Sequence, residues 1–108
     1  MSSEPSNRFK VGTVHEITDG SARRVDIGEH PIAVVRIGDR IHAIGDTCSH
    51  ADYSLSEGDV DTDECTLECP RHGAAFSLTT GEPETLPAIQ PVPVYETEVV
   101  GDDIWVVL

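Results

Sequence analysis

Two short runs in this chain pair a cysteine with a histidine: Cys48-Ser49-His50 and Cys69-Pro70-Arg71-His72. Eighteen residues, Ala51 through Glu68, separate them. Each run offers one thiolate sulfur and one imidazole nitrogen, spaced so that both can turn toward one centre. Four such ligands, two soft and two borderline, suit zinc or iron–sulfur chemistry and do not suit magnesium or calcium. Two matched pairs among only three cysteines and five histidines are poorly explained as chance.

Three kinds of metal centre could use those ligands. Structural zinc with two cysteines and two histidines is chemically possible, yet zinc knuckles usually space their ligands by two to four residues. Cys48 and His50 have a single residue between them. Mononuclear oxygenase iron needs two histidines and a carboxylate with open positions, and 108 residues leave no room for a separate catalytic domain. The third is a [2Fe–2S] cluster with two cysteines on one iron and two histidines on the other. The remaining candidates have bland readings. Cys65, two before Leu67 in a strand-like piece, reads as a small buried hydrophobe. His15, His30 and His42 stand singly and read as surface or satisfied histidines.

The elements that must carry the pairs are strands. Phe9 to Ile17 and Ala22 to Ile27 read as the first two. Pro31 to Ile37 and Arg40 to Ile44 are β-branched runs joined only by Gly38-Asp39, which signals a tight hairpin with a type I′ or II′ turn. Val94 to Val100 and Ile104 to Leu108, around Gly101-Asp102-Asp103, form another. Between the hairpins, Gly45 to Gly81 holds short strand-like pieces (Cys65 to Cys69, Ala75 to Leu78) among turn residues. Pro83, Pro87, Pro91 and Pro93 then exclude helix and central strand. No segment sustains a helical apolar period, so any helix is a turn or two near Asp52 to Ser56. The expected fold is all-β: an antiparallel sandwich or barrel with a small ligand-bearing subdomain, about residues 45–81, inserted between strands. Residues 1–7 are expected to be disordered, and 8–108 to form one domain.

Charge and leader signals narrow the setting. Lys+Arg number 7 against 20 Asp+Glu, a formal net charge of −13, which argues against nucleic acid and anionic membrane as partners. The first seven residues have no apolar core of a secretion signal, and Arg23-Arg24 lies too far inside to be a twin-arginine leader. A cytoplasmic, reducing location is expected, where cysteines bind metal more often than they pair.

CSHADYSLSEG and CPRHGAAFSLTTGE together resemble the two ligand boxes of the Rieske family. Leu55 and Gly58 after the first box, Gly73 after the second histidine and Thr80-Gly81 beyond it extend the resemblance. Leu86-Pro87-Ala88 is similar to the family's third loop, which covers the cluster. The resemblance implies one [2Fe–2S] cluster, with Cys48 and Cys69 on the inner iron and His50 and His72 on the outer, electron-accepting iron.

Departures from the respiratory branch of that family are informative. Its extra cysteine pair falls at Tyr53 and Arg71 here, so no disulfide joins the loops. Its Ser and Tyr hydroxyl donors to the cluster fall at Ala74 and Phe76. Without those donors the potential is expected toward the low end of the Rieske range, about −150 mV instead of +300 mV. The resemblance thus implies a monomeric low-potential Rieske ferredoxin that is not itself an enzyme. It would carry single electrons from an NAD(P)H-dependent flavoprotein reductase to a terminal ring-hydroxylating oxygenase. The docking face would lie around His50 and His72, with Ala51, Tyr53, Ala74 and Pro87. Alternatives are the Rieske-like small subunit of a nitrite reductase and, further off, a zinc-stapled binding module.

Overall fold

The computed structural model describes residues 8–47, 54–70, 74–84 and 90–107. Among these residues nine strands alternate with turns in an all-β, antiparallel architecture. They are β1 (Arg8–Thr13), β2 (Ser21–Ile27), β3 (His30–Ile37), β4 (Arg40–Gly45), β5 (Val60–Asp61), β6 (Thr66–Glu68), β7 (Ala75–Ser77), β8 (Val94–Val100) and β9 (Asp103–Val107). Six of them form one curled sheet in the order β1-β9-β8-β4-β3-β2, and β5-β6-β7 form a second, small sheet. Among the described residues the only helical pieces are single 3₁₀ turns at Val14–Glu16 and Leu55–Glu57.

The run PIAVVRI explains why β3, one strand in from the β2 edge of that sheet, is covered on both faces. Its apolar residues do not alternate with polar ones because both faces are covered. Ile32 and Val34 pack with Ile41, Ala43, Ile104 and Val106 in one core cluster. Ala33 and Val35 face the other way and pack with Ile44, Leu55, Leu67 and Phe76. The second cluster therefore ties the small sheet to the large one. Fully burying a side chain of this size contributes about 1.5–3 kcal/mol, so β3 anchors both layers.

The β3–β4 hairpin turns at Gly38-Asp39 as expected, with Ile37 paired to Arg40. Gly38 alone takes a positive φ of 60°, which favours the II′ alternative, where only the first central residue must. The first strand is shorter than its sequence suggested. Its register against β9 slips between Lys10 and Gly12, and Val14–Glu16 then coils into a 3₁₀ turn. The Glu16 carboxylate accepts from the Thr13 amide (3.2 Å) and holds that turn, while Ile17 is buried beyond it. The Cys65 to Cys69 piece is strand only over Thr66–Glu68, and β5 adds a short partner that the sequence did not signal. The proline-rich segment carries no regular strand in its described part.

Candidate metal centre

The first ligand run leaves the end of β4 and returns into the Leu55–Glu57 turn. Its two ends are bound together. Thr47 and Ser54 form an isolated antiparallel bridge, and the Leu55 amide donates to the Asp46 carbonyl (2.6 Å). Asp46 is 1% exposed. Its carboxylate accepts from the Ser56 amide (2.8 Å) and from the Ser54 hydroxyl, and its own amide donates to the Pro31 carbonyl (3.0 Å). A buried carboxylate must be satisfied in this way, since an unpaired one is costly.

The second run leaves β6 and returns into β7. The Cys69 amide donates to the Ala74 carbonyl (2.7 Å), one step beyond the Glu68–Ala75 pair of the ladder. Cys69 is a free cysteine, 1% exposed, within the core cluster of Leu55, Leu67, Ala74 and Phe76. The third loop leaves the same sheet. The Glu84 amide donates to the Ala75 carbonyl (2.7 Å), and the Val92 amide donates to the Gly81 carbonyl (2.8 Å).

Gly58 joins the first neck to the second. Its φ of −91° would suit any residue, but a Cβ there would fall on the Glu68 carbonyl oxygen, with the Pro70 ring 3.2 Å away. The requirement is for close backbone approach, not for a special dihedral. Leu55, in the preceding turn, is fully buried against Leu67 and Cys69. The Leu55 and Gly58 pattern thus has a physical basis in this packing.

Of the four expected ligands, Cys69 is placed as just given. Cys48, His50 and His72 lie outside the described residues, as do Ala51, Tyr53, Arg71, Gly73 and the segment Leu86-Pro87-Ala88. Among the described residues no group of three or more His, Cys, Asp or Glu side chains could hold a metal ion, so they offer no competing site.

Several expectations are corrected. Ala74 is not part of an exposed tip; it is fully buried, as is Phe76. Cys65 is not on a strand. It occupies a turn with a φ of 58°, is only half-buried, and has its sulfur 3.7 Å from Nε2 of His42. His42 is correspondingly not solitary. Burial, helped by the Arg40 charge, holds its pKa below the usual histidine value. His15 and His30 are exposed, as expected. Asp46 and Ser54 were not singled out in the sequence; an aspartate in a Gly-Asp-Thr turn signal ordinarily reads as solvated, and only the fold shows it buried.

The charge is also local. Asp59, Asp61 and Glu68 line a cleft of about 370 Å³ beside Ala75 on the small sheet. Among the described residues no helix is long and apolar enough to cross a membrane.

One run tied at its neck between β4 and the Leu55–Glu57 turn, and a second held by the small three-stranded sheet with a buried free thiol, form a pair of loops suited to carrying a metal centre. A family model for the Rieske [2Fe-2S] domain matches residues 7–96. The 3-phenylpropionate/cinnamic acid dioxygenase ferredoxin subunit of Escherichia coli K12 is 40% identical over 93% of this chain and 92% of its own. The ferredoxin of carbazole 1,9a-dioxygenase from Nocardioides aromaticivorans IC177 superposes with a TM-score of 0.91 at 34% identity, covering 94% of this chain and 98% of that one. A chain in a solved complex of reduced oxygenase and oxidized ferredoxin of carbazole 1,9a-dioxygenase gives 0.86 at 41% identity, over 94% and 93%. The chain belongs to the Rieske [2Fe-2S] family. Within it the chain is a ferredoxin: it carries one [2Fe–2S] cluster and moves electrons without being a catalyst.

The residues present fit that group. Cys69 supplies a free sulfur in an apolar setting, where an uncompensated thiolate would be unstable and an iron ligand would not. The two cysteines and two histidines expected from the sequence are the donor types of a mixed-ligand cluster.

Proposed function

We propose that Cys48, His50, Cys69 and His72 hold the [2Fe–2S] cluster, the cysteines on one iron and the histidines on the other. Bound there, the cluster supplies reversible one-electron storage. The chain's own residues hold the ligand runs, exclude water and set the potential. The buried free thiol of Cys69 at the neck of the second run is the observation that carries this reading.

The potential lies toward the low end of the Rieske range. Ala74 and Phe76 bring no hydroxyl to the cluster, and Phe76 is fixed in the core. The electron goes to a terminal ring-hydroxylating oxygenase, by analogy with the relatives named above, and comes from an NAD(P)H-dependent flavoprotein reductase, as the family resemblance implies. The protein acts in the cytoplasm as a monomer that docks transiently. The contact face surrounds His50 and His72 with Ala51, Tyr53 and Pro87. The net charge of −13 and the carboxylate-lined cleft on the small sheet favour partners with basic surfaces and steer their approach.

Two experiments test this. Anaerobically purified protein should be red-brown with one cluster per chain, and His72→Ala should abolish that cluster. Stopped-flow reduction by a cognate reductase should slow as ionic strength rises; a rate indifferent to salt would remove the steering part.

A further inference from the structure

We infer that Asp46 is a positioning residue for electron transfer: its buried carboxylate ties the two ends of the first ligand loop and holds the potential of the centre down. This rests on Cys48 and His50 being ligands. Asp46 and Thr66 are the two buried polar side chains among the described residues, and Asp46, at 1% exposure, is the only ionisable one.

Among the described residues, the contacts of Asp46 join one end of the loop to the other or to the large sheet. On the near side, its amide is fixed to the Pro31 carbonyl at the start of β3 (3.0 Å). On the far side, its carbonyl accepts from Leu55 (2.6 Å). Its carboxylate accepts from the Ser56 amide (2.8 Å) and the Ser54 hydroxyl. The two serine hydroxyls also bond each other (2.8 Å). One carboxylate thus fixes where residue 47 departs and where residue 54 arrives, and the ligands between them inherit that placement.

The charge is a second consequence. Among the described residues the cation nearest to the carboxylate is the Arg24 guanidinium, 3.8 Å away, longer than a hydrogen bond, and its Nε is committed to Asp26 (3.2 Å). The amide and hydroxyl donors solvate the carboxylate but do not neutralise it. Two residues of chain place Cys48 within about 7 Å of Asp46. An electron added to the centre therefore meets a fixed negative charge through a medium that screens less than water. At an effective dielectric near about 20, a unit charge about 12 Å from the added electron shifts a one-electron equilibrium by about tenfold.

The test compares variants that alter the charge with variants that alter only its surroundings, each read by midpoint potential in a protein film and by iron per chain. Asp46→Asn keeps the shape and should favour reduction about tenfold, about 59 mV upward for one electron, with a full cluster. Ser54→Ala and Arg24→Gln keep the carboxylate but remove a donor or a cation beside it. Both should move the midpoint downward, by about threefold or less.

A loop that is merely loosened would not reverse sign between these substitutions. An unchanged midpoint in fully loaded Asp46→Asn, or movement of all three variants in one direction, overturns the proposal. If Asp46→Asn fails to assemble, the other two decide: downward shifts support it, and unchanged midpoints refute it. Wild-type protein without a Rieske-type EPR signal would instead refute the ligand reading beneath it.

Discussion

The two sheets are held together by different physics. The large sheet rests on strands of five to eight residues and on β3, whose apolar residues are buried on both faces. The small sheet has strands of two or three residues, too few to stand alone. Its Leu67 and Phe76 lean on the core cluster shared with β3, and its loop necks depend on single contacts: Gly58 against the Glu68 carbonyl, Cys69 to Ala74, Leu55 and Asp46 at the first neck. The difference teaches that the electron-carrying end is assembled from individually necessary parts, while the scaffold is redundant.

The strongest way to break that contrast is to remove the iron. With chelator and reductant, amide protection in β6 and β7 should fall by at least about tenfold, while β3 and β4 stay protected. Cys69→Ser should do the same and leave the protein colourless. Equal loss in both sheets by hydrogen exchange would show that they are one cooperative unit.

Next in size is Gly58→Ala. Pushing a methyl group against the Glu68 carbonyl should cost about 3 kcal/mol and lower cluster occupancy, as measured by denaturant unfolding and iron content. Gly38→Ala provides the contrast. It meets no neighbour and suffers only the left-handed backbone penalty, about 1–2 kcal/mol, so the colour should be unchanged.

Phe76→Tyr sharpens the comparison within the small sheet. If its hydroxyl reaches a cluster sulfur, a donor to a charged acceptor worth about 2 kcal/mol should raise the potential by roughly 90 mV. An unchanged midpoint would show that burial in the core turns this ring away from the cluster.

The smallest effect expected is a pH dependence at the seam between the sheets, where His42 of β4 meets Cys65. Burial and Arg40 lower the His42 pKa in the folded state. The unfolded chain therefore binds more protons below the ordinary histidine value of 6.5, and stability should fall as pH drops through that value. His42→Gln should flatten this part of a thermal-melt profile, and an unaltered profile would place the dependence elsewhere.

Much of the scaffold was legible in the sequence because its signals are local. PIAVVRI and RIHAI around Gly38-Asp39 specify a hairpin by residue type alone, and the paired ligand runs announce themselves by spacing. What stayed hidden depends on contacts between distant segments. Cys65 looked like a strand residue beside Leu67, yet the turn that brings it to His42 gives it a left-handed backbone. Ala74 comes two residues after His72 in sequence and looked like surface, but the short β6–β7 ladder turns it into the core. Asp46 gave no signal because nothing local shows that Ser54 and Ser56 return to cover it.

The most direct test of the central claim is pulsed EPR on the reduced protein carrying nitrogen-15-labelled histidine. The account predicts couplings from two histidine nitrogens on the cluster, with one lost if a His72→Ala variant retains iron. A reduced cluster without histidine nitrogen coupling would contradict it.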